Sequence, residues 1–180
     1  MKVISLGALA LVAAAFGLYV YETEPRWYER MRYPLRYEEI VVGHARNYGL
    51  EPQLVAAVIY QESKFDADAE SASGAVGLMQ LLPSTGQGIA DRTGGDSWTP
   101  NDLRSPELNV RYGCWYLRHL LQRYESEELA LAAYNAGQAN VDRWRAQGGE
   151  IGFPETRHYV ERVQRLKAVY ARAYQDELGL

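Results

Sequence analysis

The chain has 180 residues, with 23 acidic and 19 basic side chains and a net charge of −4 at pH 7. This length suits one domain that buries its own core without disulfides. An acidic chain with scattered arginines is not typical of a nucleic-acid-binding protein, so we expect no nucleic-acid partner. The single cysteine, Cys114, cannot form an internal disulfide, and the three histidines lie far apart. No cysteine or histidine pattern has metal-ligand spacing, so we expect neither a metal nor another cofactor.

The N-terminal segment, residues 1–21, combines Lys2 with an uncharged stretch from Val3 to Tyr21. A basic residue followed by an apolar run predicts either a cleaved signal peptide or an uncleaved membrane anchor. The run approaches the ~20 residues that span a bilayer as a helix. It also continues past a possible cleavage site at Ala13–Ala15, which favours the anchor. Both interpretations predict an exported protein.

The rest of the chain predicts a connector over 22–36, with two prolines and no clean period, and a domain over 37–180. Strand signals are scarce, so we expect a predominantly all-α fold. Capping residues and apolar spacing predict helices over 37–47, from Pro52 to Ser63, after Pro83, from Ser105, from Ser126 to Gly137, and from a cap at Thr156. Loops are predicted over 63–77 and 94–101.

Glu62 is the candidate catalytic residue. It lies four residues after Val58 and three after Ile59, so it extends the apolar stripe of its helix. Burial disfavours the ionised carboxylate, and the negative end of the helix dipole acts in the same direction. We therefore predict a raised pKa and a carboxyl group that can act as a general acid.

Three motifs follow Glu62 at fixed spacing: Ser71 with the run Gly74–Gln80, then Ala133–Gly137, then Glu155–Val160. Their order and spacing resemble the catalytic domain of the soluble lytic transglycosylases, relatives of goose-type lysozyme. The resemblance covers roughly residues 37–174. It implies a lysozyme-like α-helical catalytic domain preceded by the N-terminal hydrophobic segment.

The resemblance also implies a substrate-binding set around Glu62. Ser71 would contact an N-acetyl group, Tyr134 would reach toward Glu62 and the bound sugar, and Asn135 would tie loops together. Gly74 and Gly77 allow positive φ and a close backbone approach beside the sugar. The complete set is Ser71, Gly77, Leu78, Met79, Gln80, Leu82, Tyr134, Asn135, Glu155 and Tyr159, with Met79 packing beneath the wall and Leu82 standing where the family often has methionine.

The implied function is cleavage of the bond between N-acetylmuramic acid and N-acetylglucosamine in peptidoglycan, with formation of 1,6-anhydromuramyl ends. The family uses one carboxyl group, here Glu62, as acid and then base. Asp66 and Asp68 are the nearest acids that could serve as a second carboxylate, and a turn role is the alternative for them. A hydrolytic lysozyme-type muramidase and a catalytically silent peptidoglycan-binding protein remain alternative functions.

The resemblance places the protein in the bacterial periplasm as a monomer that acts on peptidoglycan glycan strands. The anchor interpretation of residues 1–21 adds the inner (cytoplasmic) membrane as a partner, and the cleaved-signal interpretation gives a soluble periplasmic protein.

Overall fold

The computed structural model describes residues 6–95 and 97–180. The chain divides into two compact units, with the boundary between Pro34 and Leu35. Within the described residues the regular elements are helices, accompanied by two isolated β-bridges that join Val76 to Glu70 and to Leu81. The prediction of a predominantly all-α chain is therefore confirmed.

The first unit contains α1 (Leu6–Thr23) and α2 (Arg26–Arg32). Among the residues that the structure describes, no helix has both the length and the apolar character needed to cross a membrane. Lys2 and Val3, where the predicted signal or anchor begins, lie outside the described residues. The helix α2 was not predicted, because its seven residues are too few to show a helical period.

The second unit contains the remaining helices of the described chain. They are α3 (Glu38–Asn47), α4 (Pro52–Ser63), α5 (Pro83–Thr93), α6 (Pro106–Tyr124), α7 (Glu127–Ala136), α8 (Gln138–Ala146), α9 (Pro154–Ala173) and α10 (Gln175–Leu178), with a 3-10 helix at Pro100–Arg104 between α5 and α6. Helix α4 packs against α3 and α9, while α7 packs against α6, α8 and α9. Every residue from Leu54 to Ile59 is buried, so α4 is a core helix that ends at the candidate site.

Two predicted helix starts are confirmed by their side-chain caps. The hydroxyl oxygens of Ser105 and Ser126 accept hydrogen bonds from the first turns of α6 and α7, at 3.5 and 3.3 Å. The predicted cap at Thr156 is wrong: α9 begins at Pro154, whose fixed φ suits the first helical position. Helix α8 follows Gly137 directly and was not predicted, since it buries only Val141 and Trp144.

The loop between α4 and α5 folds back on itself around Val76. The two glycines predicted to have positive φ do so, at 78° for Gly74 and 80° for Gly77. The close approach at Gly77 is toward α6, where an added Cβ would meet the Asn109 amide and lie 2.6 Å from the Leu103 carbonyl oxygen. Glycine is therefore required at this position by the protein's own core.

Asn109 holds this loop in place. Its side chain is fully buried, and its amide nitrogen donates to the carbonyl oxygens of Val76 and Leu103, both at 2.8 Å. Its amide oxygen accepts from the backbone N–H of Met79 at 2.7 Å. A buried amide satisfied in this way joins α6, the 3-10 helix and the loop. The sequence analysis did not single out Asn109.

Replacing Asn109 by alanine should leave the Leu103 carbonyl and the Met79 N–H buried without partners, while the Val76 carbonyl keeps the hydrogen bond from the Leu81 N–H. Because each orphaned group costs roughly 1–3 kcal/mol, we expect the free energy of unfolding to fall by about 3–5 kcal/mol. Denaturant unfolding of the purified variant measures this change. Asn140→Ala removes an amide bond to the Ala136 carbonyl and an exposed contact from Arg143, and it is the matched control. An equal loss in the two variants would contradict the role of Asn109.

Candidate active site

A groove of about 490 Å³ opens where α4 ends. The loop before α5, the first turn of α5, helix α6, the end of α7 and the start of α9 form its walls. It is lined by Glu62, Ser71, Ser73, Ala75, Gln80, Leu81, Leu82, Thr85, Tyr116, Tyr134, Asn135, Ala136, Gly137 and Glu155. Residues separated by more than 90 positions in sequence thus meet around Glu62.

Seven of the predicted site residues line this groove, namely Glu62, Ser71, Gln80, Leu82, Tyr134, Asn135 and Glu155. Four do not. Leu78 and Met79 are fully buried, so their side chains support the wall from beneath and cannot contact a ligand. Gly77 faces Asn109, and Tyr159 is only 5 % exposed and lies behind Glu62.

Glu62 lies in the last turn of α4, and the Tyr159 hydroxyl on α9 donates a 2.6 Å hydrogen bond to its Oε1. Burial raises the pKa of Glu62, and the hydrogen bond from Tyr159 favours the carboxylate and partly offsets this effect. The net result is a pKa raised to about 7. The two effects leave a carboxyl group that exchanges its proton near neutral pH. Such a group can act as an acid and, once ionised, as a base.

Two tyrosines flank Glu62 in different ways. The Tyr134 hydroxyl donates to the Met79 carbonyl at 2.8 Å, and its ring packs 5.5 Å from that of Tyr116. The phenol that donates a hydrogen bond to Glu62 is therefore that of Tyr159 rather than that of Tyr134. Burial raises the pKa of both Tyr134 and Tyr159, and the negative charge of Glu62 acts in the same direction. Both hydroxyls consequently remain donors at neutral pH.

The loop wall is held by its own side chains. The Ser71 hydroxyl oxygen accepts from the Ala75 N–H at 3.0 Å and lies 2.9 Å from the Ser73 hydroxyl. The Gln80 amide nitrogen donates to the carbonyls of Ala69 and Gly77, both at 3.0 Å. The amide oxygen of Gln80 is then the part of that side chain that can accept a hydrogen bond from a ligand.

The opposite wall joins the end of α7 to the start of α9. The Thr156 hydroxyl donates to Asn135 Oδ1 at 2.8 Å, so the residue predicted as a cap is instead buried and binds Asn135. This contact places exposed Glu155 at the edge of the groove.

Glu62 and Glu155 are the carboxylates among the described residues that line the groove. Asp66 Oδ1 accepts from the Asp68 N–H at 3.0 Å, a turn contact, and neither aspartate lines the groove. Within the described parts of the chain, no group of three or more histidine, cysteine, aspartate or glutamate side chains could hold a metal ion.

Sequence reasoning missed Ser73, Thr85 and Tyr116 as groove residues. Tyr116 shares the apolar face of its helix with core residues, and period alone does not separate a groove wall from a core. Ser73 could have been found from its position two residues after Ser71 in the same loop.

The chain matches the family model described as transglycosylase SLT domain over residues 40–155. The soluble lytic murein transglycosylase of Salmonella typhimurium is 31% identical over 156 residues, which cover 77% of this chain and 23% of that protein. Membrane-bound lytic murein transglycosylase F of Maricaulis maris is 36% identical over 147 residues, which cover 76% of this chain and 30% of that protein.

Among solved structures, an inactive glutamate-to-glutamine mutant of the lytic transglycosylase Slt from Pseudomonas aeruginosa superposes with a TM-score of 0.75 at 32% identity. The match covers 81% of this chain and 25% of that one. The chain thus spans about a quarter of the length of these relatives, and its helical fold is the one found in their lytic transglycosylase domains.

The raised pKa of Glu62 predicts a pH-dependent penalty on folding. The native state binds more protons than the unfolded chain between pH 4.5 and about 7, so this contribution to stability decreases as the pH rises through that window. Glu62→Gln removes the titration while keeping an acceptor for Tyr159. The free energy of unfolding of the variant relative to the parent should therefore be more favourable at pH 8 than at pH 4.5 by about 1–2 kcal/mol, after allowing for partial exposure of Glu62. In Tm this corresponds to a difference of roughly 2–8 °C.

Thermal unfolding across this pH range measures the difference. Tyr159→Phe removes the donor that lowers the Glu62 pKa, so it should move the window upward. A Tm difference for Glu62→Gln that is independent of pH would show that Glu62 titrates normally.

Proposed function

Because the chain belongs to the transglycosylase SLT domain family, we propose that it is a lytic transglycosylase of peptidoglycan. It cleaves the β-1,4 bond between N-acetylmuramic acid and N-acetylglucosamine and leaves 1,6-anhydromuramyl ends. The observation that carries the proposal is Glu62, a half-buried carboxyl group with a pKa of about 7 at the wall of the groove. A catalytically silent binding protein has no need for that group.

In the first step, protonated Glu62 donates its proton to the glycosidic oxygen, and the bond from that oxygen to the muramyl C1 breaks. Positive charge develops at C1, where the carbonyl oxygen of the substrate's own N-acetyl group stabilises it. The Tyr159 hydroxyl, 2.6 Å from Oε1, then stabilises the carboxylate that Glu62 has become. A second carboxylate is not needed in this step.

In the second step, the Glu62 carboxylate takes the proton of the muramyl C6 hydroxyl, and O6 bonds to C1. The 1,6-anhydro ring closes, and Glu62 is protonated again for the next turnover. A pKa near 7 suits both steps, because the group must give and take a proton within one cycle. In the alternative hydrolytic reaction, water takes the place of the C6 hydroxyl.

A second proposal concerns location. We propose that the N-terminal unit attaches the protein to the outer face of the cytoplasmic membrane, in the periplasm, and that the catalytic domain over 37–180 acts on nearby glycan strands. Helix α1 supports this with the exposed apolar side chains Leu11, Val12, Phe16 and Leu18. In α2, Trp27 and Met31 are also exposed, and Trp27 stacks on Phe16 with ring centroids 6.3 Å apart. A relative is named as membrane-bound. A cleaved signal is the alternative.

Glu62→Gln should keep the fold and the binding of sacculi but abolish turnover, because an amide cannot cycle a proton. Loss of a general acid–base group costs about 10²–10⁴-fold in rate, and here one residue has both roles. Release of muropeptides from purified sacculi measures the rate. Mass analysis of the parent enzyme's products separates anhydro ends from hydrated reducing ends.

Glu155→Gln is the matched variant, since it makes the same chemical change in the same groove. We expect it to cost less than about tenfold, mainly through KM, because loss of one exposed contact costs little. A loss as large as that of Glu62→Gln would show a two-carboxylate reaction. If the parent enzyme released only hydrated reducing ends, its reaction would be hydrolysis and the lytic proposal would be wrong.

Membrane attachment predicts that the mature protein retains residues 1–21 and sediments with the membrane fraction. N-terminal sequencing and fractionation of cells that express the full chain measure both properties. A mature N-terminus at Phe16 or later, with the protein in the soluble periplasmic fraction, would identify a cleaved signal instead.

A further inference from the structure

The last turn of α4 carries two neighbouring residues that face different parts of the domain. Glu62 lines the groove, whereas the hydroxyl of the next residue, Ser63, donates to the carbonyl oxygen of Leu78 at 2.8 Å. Ser63 is half-buried and Leu78 is fully buried, and neither residue lines the groove. This hydrogen bond therefore joins the helix of Glu62 to the loop before α5 from within the protein.

The Leu78 carbonyl depends on Ser63 for its donor. Among the residues that the structure describes, no backbone N–H donates to this oxygen. The Ser63 hydroxyl also lies 3.2 Å from the Ile59 carbonyl, but that oxygen belongs to the same helix and has the Ser63 N–H as its regular partner. A hydroxyl has one proton to donate, and the shorter distance favours Leu78. Loss of the hydroxyl would leave a buried carbonyl without a donor, which is unfavourable.

The backbone that follows Glu62 is fixed as well. Lys64 and Phe65 have positive φ, at 53° and 64°, a region that residues with a Cβ adopt only at a cost. Such a conformation persists where the surrounding structure enforces it. Phe65 is 1 % exposed, and its ring centroid lies 6.2 Å from that of Tyr170 on α9. The last turn of α4 is thus held by the core through Phe65 and by the loop through Ser63.

The loop wall receives one side-chain contact from each of three helices. Asn109 of α6 accepts from the Met79 N–H, and Tyr134 of α7 donates to the Met79 carbonyl. Ser63 of α4 donates to the carbonyl one residue earlier, at Leu78. The contacts from α6 and α7 hold the wall in the domain, but the contact from Ser63 also links it directly to the helix that carries Glu62.

We propose that Ser63 is a positioning residue, whose hydrogen bond to Leu78 fixes the distance between the Glu62 carboxyl group and the groove wall at Gln80. The proposal rests on the function proposed above. A sugar held by the wall has to present its glycosidic oxygen and then its C6 hydroxyl to the same carboxyl group. A displacement of about 1 Å can cost about 100-fold in rate, so this link affects the chemical steps more than it affects binding.

The test compares Ser63→Ala with Thr93→Ala. Thr93 lies in the last turn of α5, and its hydroxyl donates to the Ile89 carbonyl at 2.9 Å, so the control removes a bond within one helix without breaking a link to the loop. On glycan-strand fragments from purified sacculi, Ser63→Ala should lower kcat about tenfold or more and change KM by less than about twofold. Thr93→Ala should change both by less than about twofold. Ser63→Thr keeps the hydroxyl and should restore kcat to within about threefold of the parent value.

Amide hydrogen exchange provides a measurement that does not require turnover. The backbone amide of Glu62 should exchange faster in Ser63→Ala than in the parent, and at the parental rate in Thr93→Ala and Ser63→Thr. An unchanged kcat in Ser63→Ala would overturn the proposal, as would an equal fall in Ser63→Ala and Thr93→Ala. A parent enzyme without turnover would overturn the proposed function, while the exchange rates would still decide whether Ser63 holds the turn of Glu62.

Discussion

The groove at the end of α4 depends on one buried amide. Asn109 has three backbone partners and is fully excluded from water, so the loop, the 3-10 helix and α6 cannot shift independently without orphaning a polar group. The same constraint explains why glycine is needed nearby. A Cβ at Gly113 would lie 2.8 Å from the Met79 Cβ, and one at Gly77 would enter the Asn109 amide. The motif around Gly77 and Met79 is thus first a packing motif, and its half-buried end, Gln80, meets the groove.

Glu62 is poised by two opposing effects. Burial among the helices that surround α4 disfavours its charge, and the Tyr159 hydroxyl on α9 partly offsets this. The outcome is a pKa near neutrality rather than a permanently protonated acid. Since α4 and α9 pack against each other, the same interface that stabilises the domain also sets the proton affinity of Glu62. In the proposed reaction this balance allows one carboxyl group to perform two proton transfers.

Local signals predicted the helices well. Ser105 and Ser126 mark starts through hydroxyl acceptors, and Gly137 marks an end through positive φ, all properties of single residues. The errors arise where a helix depends on its neighbours. Helix α8 buries only Val141 and Trp144, so its own residues give a weak apolar pattern. Thr156 has the side chain of a helix cap, but α9 already begins at Pro154 and the Thr156 hydroxyl donates to Asn135.

The sequence by itself determined the fold class, several helix starts and Glu62 as the candidate acid, because periodicity, capping and the apolar stripe are short-range properties. The tertiary structure decided which phenol binds that acid. The resemblance implied that Tyr134 reaches toward Glu62, yet the packing of α9 on α4 places Tyr159 against Glu62 and leaves Tyr134 on the Met79 carbonyl. The tertiary structure also decided the contacts of Gly77 and Asn109. Contacts between residues 30 or more positions apart depend on how helices pack, which no local pattern encodes.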